Sequence, residues 1–198
     1  MFSSILENII QLDISLFYLL NGKASNALLD FVMPILTNLD YWRIPLILLG
    51  VLLAIFGKRR GRITVLLLVF GIALSDQMCN SLIKPLVGRI RPCNILENVH
   101  LLINCTNSFS FPSSHATNIF TGTILLSFFY RKIRIPLLII AVLVAFSRVY
   151  VGVHYPFDVL GGTALGILCA LLVIVLYKLL SKRFQGMAYA ERIRQNQN

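Results

Sequence analysis

The stretch FDVLGGTALGILCALLVIVLYKLL, residues 157–180, decides the fold of this chain, because it can cross a lipid bilayer as one helix. A hydrocarbon core of about 30 Å requires roughly 20 consecutive, mostly apolar residues in helical form. The segment must be helical there, since the lipid offers its backbone polar groups no hydrogen-bond partner. The sequence therefore predicts an all-α protein, a polytopic bundle of transmembrane helices. Four earlier stretches have the same character, at residues 42–57, 63–86, 115–130 and 134–151.

The composition agrees with a membrane-embedded chain. Of the 198 residues 57% are hydrophobic, and the mean hydropathy is +0.79. Both values are higher than those typical of soluble globular domains. The length fits a single membrane-embedded domain over residues 1–198. It divides into an amino-terminal region, a transmembrane core and a basic tail, at residues 1–41, 42–180 and 181–198.

The net charge of +10 is distributed as a topology signal. Residues 58–62, 131–134 and 178–198 hold twelve of the eighteen basic residues, in short clusters beside apolar stretches. Basic loops stay in the cytoplasm, so all three clusters are predicted to lie there, with the carboxy terminus. The loops 87–114 and 152–156 then face outward. No nucleic-acid partner is expected, because the charges border membrane spans and form no continuous basic surface.

The amino-terminal region contains two shorter apolar segments, residues 4–20 and 27–39, which acidic residues interrupt. We interpret them as interfacial or re-entrant helices beside five full spans. A sixth span is the alternative interpretation.

The four cysteines fall into two pairs. Cys79 and Cys169 lie in apolar stretches, where buried free thiols are expected. Cys93 and Cys105 lie in the outward loop, on the oxidising side of the membrane, and a disulfide between them is predicted.

Three polar stretches come to the outward surface in this orientation: residues 84–92, 111–115 and 147–158. They contain cations, histidines, serines and a carboxylate. Such side chains are needed to hold a phosphate group, attack it and protonate its leaving group.

Proline residues predict where the helices carrying these stretches begin. Pro156 suits the first position of the last helix, so His154 precedes the helix and Asp158 lies in its first turn. Asp158 can then orient the His154 imidazole, or it can simply stabilise the helix dipole.

Pro112 likewise can open the third span. The N–H groups of Ser113, Ser114 and His115 would then be free to bind an anion. A plain serine cap is the alternative.

Three long cationic side chains complete the outward surface. Lys84 is expected to end the second span, because Pro85 follows it. Arg91 and Arg148 offer planar guanidinium groups for phosphate oxygens, or could pair with carboxylates instead.

In their order and spacing the three stretches resemble the signature of the type 2 phosphatidic acid phosphatase superfamily, which also includes the vanadium haloperoxidases. That resemblance implies a bundle of about six helices and a phosphohydrolase that needs no metal and no other cofactor. The matching residues are Lys84 with Arg91-Pro92, Pro112-Ser113-Ser114-His115, and Ser147-Arg148 with His154 and Asp158.

The resemblance also implies a role for each residue. His154 would be the nucleophile that forms a phosphohistidine, Asp158 would orient it, and His115 would be the general acid. One residue departs from the family pattern, because Ser114 stands where the family usually has glycine. The phosphoryl oxygens would be bound by Lys84, Arg91, Ser113, Arg148 and the backbone N–H of Ser114.

The expected function is the hydrolysis of a phosphorylated membrane lipid at the extracytoplasmic face of a bacterial inner membrane. The substrate would be phosphatidylglycerophosphate, undecaprenyl diphosphate, the 1-phosphate of lipid A, or phosphatidate. Lipid-to-lipid phosphate transfer and non-catalytic transport or binding of a lipid phosphate are the alternatives. No obligate protein partner is evident; the oligomeric state and the route of lipid entry are left open.

Overall fold

The computed structural model describes residues 2–195, with side chains for residues 4–183. These residues form helices and connecting loops, with no strand among them. Two π-helical turns, Leu19–Lys23 and Met78–Ile83, and a 3₁₀ turn, Arg131–Ile133, adjoin the helices. The helices are α1 Phe2–Tyr18, α2 Ala27–Thr37, α3 Leu39–Phe56, α4 Lys58–Gln77, α5 Lys84–Val87, α6 Pro92–Ile95, α7 Ser114–Phe129, α8 Arg134–Tyr150 and α9 Pro156–Gln195.

The predicted fold class is confirmed: the described chain is an all-α bundle with membrane-spanning helices. Within the described residues, four helical stretches are long and apolar enough to cross a bilayer, and they cover four of the five predicted spans. Helix α3 has no buried residue, so its apolar side chains are available to lipid. The four stretches are Leu39–Phe56, Lys58–Ile95, Arg131–Tyr150 and Pro156–Arg183.

The other predicted span, residues 115–130, is α7, which has the predicted length and begins one residue earlier. Its 16 residues rise only about 24 Å. Helix α7 packs against α4, α8 and α9, and half of its residues are buried. A helix enclosed by protein needs no long lipid-facing surface, and it can carry buried hydroxyls such as Thr117 and Thr121, which bond to backbone carbonyls.

Lys84 does not close the second span as expected, although the predicted bound at residue 86 lies within one residue of the observed end. The π-helical turn joins α4 to α5, and the helical path continues to Val87. Pro85 lies in the first turn of α5, where a missing N–H costs no hydrogen bond. Gly88, with a φ of 63°, ends the helix in the left-handed conformation that glycine adopts without strain.

Helices α1 and α2 pack where the polar stretches lie. Asp13 of α1 accepts a hydrogen bond of 2.9 Å from the Phe157 N–H at the start of α9. The Tyr18 hydroxyl donates to the Glu97 carbonyl at 2.9 Å. Their membrane depth stays a prediction, but both helices are part of the site's surroundings.

His100 of the outward loop contacts α2, although nothing in the sequence indicates a partner for it. Its Nε2 lies 3.0 Å from Asp30 of α2, which also accepts a 2.6 Å hydrogen bond from Tyr150. Buried Asn21 bonds the backbone of both His100 and Tyr150. These contacts attach α2 to α8 and to the outward loop. Because they join segments far apart in the sequence, the hydropathy pattern does not predict them.

Cys93 and Cys105 are joined by a disulfide, while Cys79 and Cys169 are buried and free. Helix α9 continues into the predicted basic tail as far as Gln195. The side chains beyond residue 183, and residues 196–198 altogether, lie outside the described part of the chain. The tail's location and the division into three regions therefore stay predictions.

Glycines bring α7 and α9 into close contact. A side chain at Gly166 would collide with the Thr117 carbonyl, and one at Gly162 would meet the Ser113 carbonyl. Thr121 takes advantage of this proximity, since its hydroxyl lies 3.1 Å from the Gly166 carbonyl. Small residues permit such backbone approach between membrane helices.

Gly166→Ala is expected to lower the free energy of unfolding by about 1–3 kcal/mol, because the added methyl overpacks the α7–α9 contact. Gly50→Ala in α3 is the matched control, since nothing lies within 4 Å of its added carbon. Thermal unfolding of both purified variants in one detergent measures the difference. Equal unfolding midpoints would contradict the proposed tight contact.

Candidate active site

His154 lies in the short loop between α8 and α9, and its side chain is buried. Its Nε2 is 3.1 Å from Arg91 Nη1, and its Nδ1 is 3.5 Å from Asp158 Oδ2. A guanidinium can only donate, so Nε2 is the acceptor and Nδ1 carries the proton. Burial lowers the pKa of His154 to about 3, which keeps the imidazole neutral at physiological pH.

Asp158 is fully buried and held from several directions. Its Oδ2 accepts hydrogen bonds from the Ser110 hydroxyl and, at 2.8 Å, from the Tyr155 N–H. Its Oδ1 accepts from Arg89 at 2.8 Å. Such bonds favour the ionised carboxylate. Asp158 therefore contacts His154 directly, in addition to any interaction with the dipole of α9.

Arg89 connects this carboxylate to a second one. Its guanidinium forms an ion pair of 2.7 Å with Asp13 and lies 3.9 Å above the centre of the Tyr155 ring. Sequence reasoning gave no role to Arg89, Asp13 or Ser110. A signal existed for the first two, since Arg89 is a cation on a surface that should avoid cations, and Asp13 interrupts an apolar stretch.

Three further cations converge on the site, and all are buried: Lys84, Arg91 and Arg148 are 7%, 6% and 7% exposed. Among the side chains of residues 4–183, none of these cations forms an ion pair with a carboxylate. A buried charge without a counter-ion is energetically costly. The arrangement is therefore suited to an anionic ligand.

Neutral groups hold these cations in place. Lys84 Nζ donates to the Ser114 hydroxyl at 2.8 Å. Arg91 donates to the carbonyl and hydroxyl of Ser108, both at 2.9 Å. Ser108 is another residue that the sequence did not indicate.

Two buried polar atoms in this region, Ser113 Oγ and Arg148 Nε, have no hydrogen-bond partner among the described residues. Buried polar groups are normally hydrogen-bonded. The unpartnered atoms come from two of the three polar stretches, so both fit a ligand with several acceptor oxygens.

The start of α7 differs from the prediction at two positions. The helix begins at Ser114, with Ser113 as its cap, and not at Pro112. The Ser113 N–H is not free, because it donates to the Asp158 carbonyl at 2.9 Å. The N–H groups of Ser114 and His115 remain at the open end of the helix, where backbone donors favour anions.

His115 lies on the other side of the site, toward α2. Its Nε2 is 3.2 Å from the Thr37 carbonyl, which can only accept, so Nε2 carries a proton. The Thr37 hydroxyl accepts a hydrogen bond from Arg148. His115 and Arg148 both line a cavity of about 660 Å³. The structure thus brings all eight sequence-predicted site residues to one end of the bundle.

The all-α membrane bundle, the buried cations and the two histidines are together typical of a membrane protein that binds an oxyanion. A family model described as the PAP2 superfamily matches residues 64–182. The chain belongs to this superfamily, and the resemblance inferred from the three motifs is confirmed. It is a membrane lipid phosphatase of the PAP2 type, a hydrolase of phosphate esters or diphosphates, and an integral membrane protein.

Individual relatives are named for different activities. The lipid A 4'-phosphatase of Bacteroides thetaiotaomicron is 33% identical, over 81% of this chain and 75% of that protein. The undecaprenyl-diphosphatase BcrC of Bacillus subtilis is 38% identical, over 74% of each.

Solved structures extend the likeness to the fold. The crystal structure of LpxE from Aquifex aeolicus has a TM-score of 0.71 and 32% identity, covering 82% of this chain and 94% of that one. The phosphatidylglycerolphosphate phosphatase of Bacillus subtilis gives a TM-score of 0.67 and 28% identity, covering 86% and 87%.

Arg89→Ala is expected to lower the free energy of unfolding by about 3 kcal/mol or more, because it leaves Asp13 and Asp158 buried without their shared cation. Adding Asp13→Asn should recover part of the loss, since one unpaired carboxylate is removed while an oxygen remains for the Phe157 N–H. Thermal unfolding of the single and double variants tests this coupling. A double variant less stable than Arg89→Ala would contradict it.

Proposed function

We propose that the protein releases phosphate from a membrane lipid through a phosphohistidine on His154. The observation that carries the proposal is the set of three buried cations without carboxylate partners, next to an acceptor nitrogen of a neutral histidine. A phosphate group supplies the missing negative charge, and its phosphorus would face His154 Nε2.

The first step forms the bond from His154 Nε2 to phosphorus and breaks the bond from phosphorus to the leaving oxygen. His115, in its imidazolium form, donates its Nδ1 proton to that oxygen and keeps the Nε2 proton that faces the Thr37 carbonyl. Asp158 accepts the Nδ1–H hydrogen bond and stabilises the positive charge that develops on the His154 ring. Lys84, Arg91, Arg148, Ser113 and the Ser114 N–H stabilise the equatorial oxygens.

The second step restores the enzyme. A water molecule attacks phosphorus while His115 Nδ1, now unprotonated, accepts its proton. The bond from phosphorus to His154 breaks, and inorganic phosphate leaves with His154 neutral again. If an alcohol replaced the water, the same intermediate would give phosphate transfer, so product analysis separates the two reactions.

Ser114, the departure from the family pattern, supports the same assignment. Its hydroxyl accepts from Lys84 and donates to Asn80 at 2.7 Å. Where the family has glycine, no such hydroxyl holds the lysine. The serine therefore adds a fixed position for Lys84, while its N–H stays available at the helix start.

We further propose that the site faces outward from a bacterial inner membrane and that the carboxy terminus is cytoplasmic. The basic clusters support this orientation. The candidate substrates remain phosphatidylglycerophosphate, undecaprenyl diphosphate, the lipid A 1-phosphate and phosphatidate. A phosphate-release screen over these four lipids, with a chelator present, tests both the activity and its independence from metals.

His154→Ala is expected to reduce phosphate release by at least about 10⁴-fold, because removing a nucleophile removes the covalent route. Thermal unfolding of the same preparation shows that the fold is retained. His100→Ala is the matched control, since His100 lies outside the proposed mechanism. Full activity of His154→Ala would overturn the mechanism, and lipid binding without turnover in the wild type would favour a non-catalytic binding protein.

His115→Ala is expected to slow phosphomonoester hydrolysis by about 10²–10⁴-fold, the usual contribution of a general acid. The loss should be smaller for a diphosphate, whose leaving group needs less protonation. Comparing kcat for the two substrate types checks this difference. Equal losses for both would count against a proton-donating role.

A further inference from the structure

A cavity of about 660 Å³ adjoins the phosphate site, and its lining includes residues that the proposed mechanism does not use. His115 and Arg148 form its inner end. The remaining lining comes from the α2–α3 corner, including Asn38 and Asp40, and from the outward loop, including Asn104. A volume in the range of roughly 300–1,000 Å³ accommodates a drug-sized ligand, well beyond a single phosphate.

The chemistry of the proposed reaction says which part of the substrate occupies this cavity. His115 protonates the leaving oxygen, so the atoms bonded to that oxygen lie on the His115 side. His154 is not among the cavity's lining residues. The cavity is therefore the place for the leaving group.

Apart from Arg148 and one carboxylate, the other polar side chains of the lining are neutral hydrogen-bonding groups. Asn38 and Asn104 offer amides, and Thr106 offers a hydroxyl. No protein partner of the Asn104 side chain is found among the described residues. Asp40 brings a negative charge, which Arg43 partly offsets at 3.1 Å without lining the cavity.

Arg148 is the only cation among the residues that line this cavity, and it already belongs to the phosphate site. The leaving group of a diphosphate would carry a second phosphate into the cavity. That phosphate would face Asp40 and find no further lining cation. An uncharged leaving group with several hydroxyls would instead bond the amides and the carboxylate.

The wall is preorganised for such a ligand. The Cys93–Cys105 disulfide closes the loop that carries Asn104, and the Leu102 N–H donates to the Val151 carbonyl at 3.3 Å. Leu102 and Ile103 pack against the core at the outer end of α8. A fixed wall reduces the ordering cost of binding.

We infer that the preferred substrate is a lipid phosphomonoester whose leaving group is uncharged and rich in hydroxyls, as in a sugar ring or a polyol, and not a lipid diphosphate. This inference rests on the proposed function. It assigns the cavity as the leaving-group subsite and Asn104 as one of its specificity-determining residues.

The test measures kcat/KM for phosphate release by the full-length protein in nanodiscs. Its substrates are a glycolipid phosphorylated on its sugar, phosphatidylglycerophosphate, phosphatidate and undecaprenyl diphosphate. The glycolipid should exceed both the diphosphate and phosphatidylglycerophosphate by at least about tenfold, because the leaving groups of those two lipids carry a negative charge. A diphosphate that is the fastest of the four would overturn the inference.

Variants locate the preference in the cavity. Asn104→Leu should lower kcat/KM for the preferred hydroxylated substrate by about 3–10-fold, the effect of one or two hydrogen bonds, and leave phosphatidate unchanged. Asn107→Leu, in the same loop but outside the cavity lining, is the matched control. Asp40→Lys should raise the relative rate with the diphosphate. Equal effects of the two leucine variants would overturn the assignment of Asn104.

Failure of this inference differs from failure of the proposed function. If phosphate is released but the diphosphate is preferred, only the leaving-group assignment falls. If no lipid releases phosphate, or His154→Ala retains full activity, the proposed function falls and the inference falls with it.

Discussion

The structure of the site depends on a surplus of buried positive charge. Lys84, Arg91 and Arg148 come from three different helical regions, and among the described side chains their hydrogen-bond partners are neutral. Bringing three cations together in a poorly solvated place is unfavourable unless an anion completes it. The packing of α7 against α9 and the attachment of α2 to α8 keep the cations together in the absence of that anion.

A second cluster of charges adjoins the three cations. Its positive and negative charges pair with each other, so it needs no ligand for charge balance. Arg89 shares its charge between Asp13 and Asp158, and Asp158 in turn faces His154. Burial raises the pKa of Asp13, while the Phe157 N–H and Arg89 act against that rise. The site therefore combines a satisfied cluster, which orients the histidine, with an unsatisfied one, which is suited to the ligand.

The sequence predicted the fold class, the family and the helix positions because each depends on local signals, namely apolar length, proline position and motif spacing. It did not show that Lys84 lies inside the second span, because α5 begins at Lys84 directly after a π-helical turn and holds Pro85 in its first turn. It also missed Ser108 and Ser110, which hold Arg91 and Asp158, because a serine in a loop carries no pattern of its own. Thr37 was missed for the same reason. It contacts the site only because α2 packs against it, and that tertiary packing leaves no local sequence signal.

The link between Asp13 and the Phe157 N–H has a consequence for biosynthesis. The chain is made from its amino terminus, so Asp13 and Arg89 are available to each other well before Asp158 emerges. Their ion pair offers a contact site for α9, the helix that follows α8 in the chain. Asp158 and the Phe157 N–H reach this ion pair only with α9, so the paired cluster beside His154 is complete only after that helix has been made.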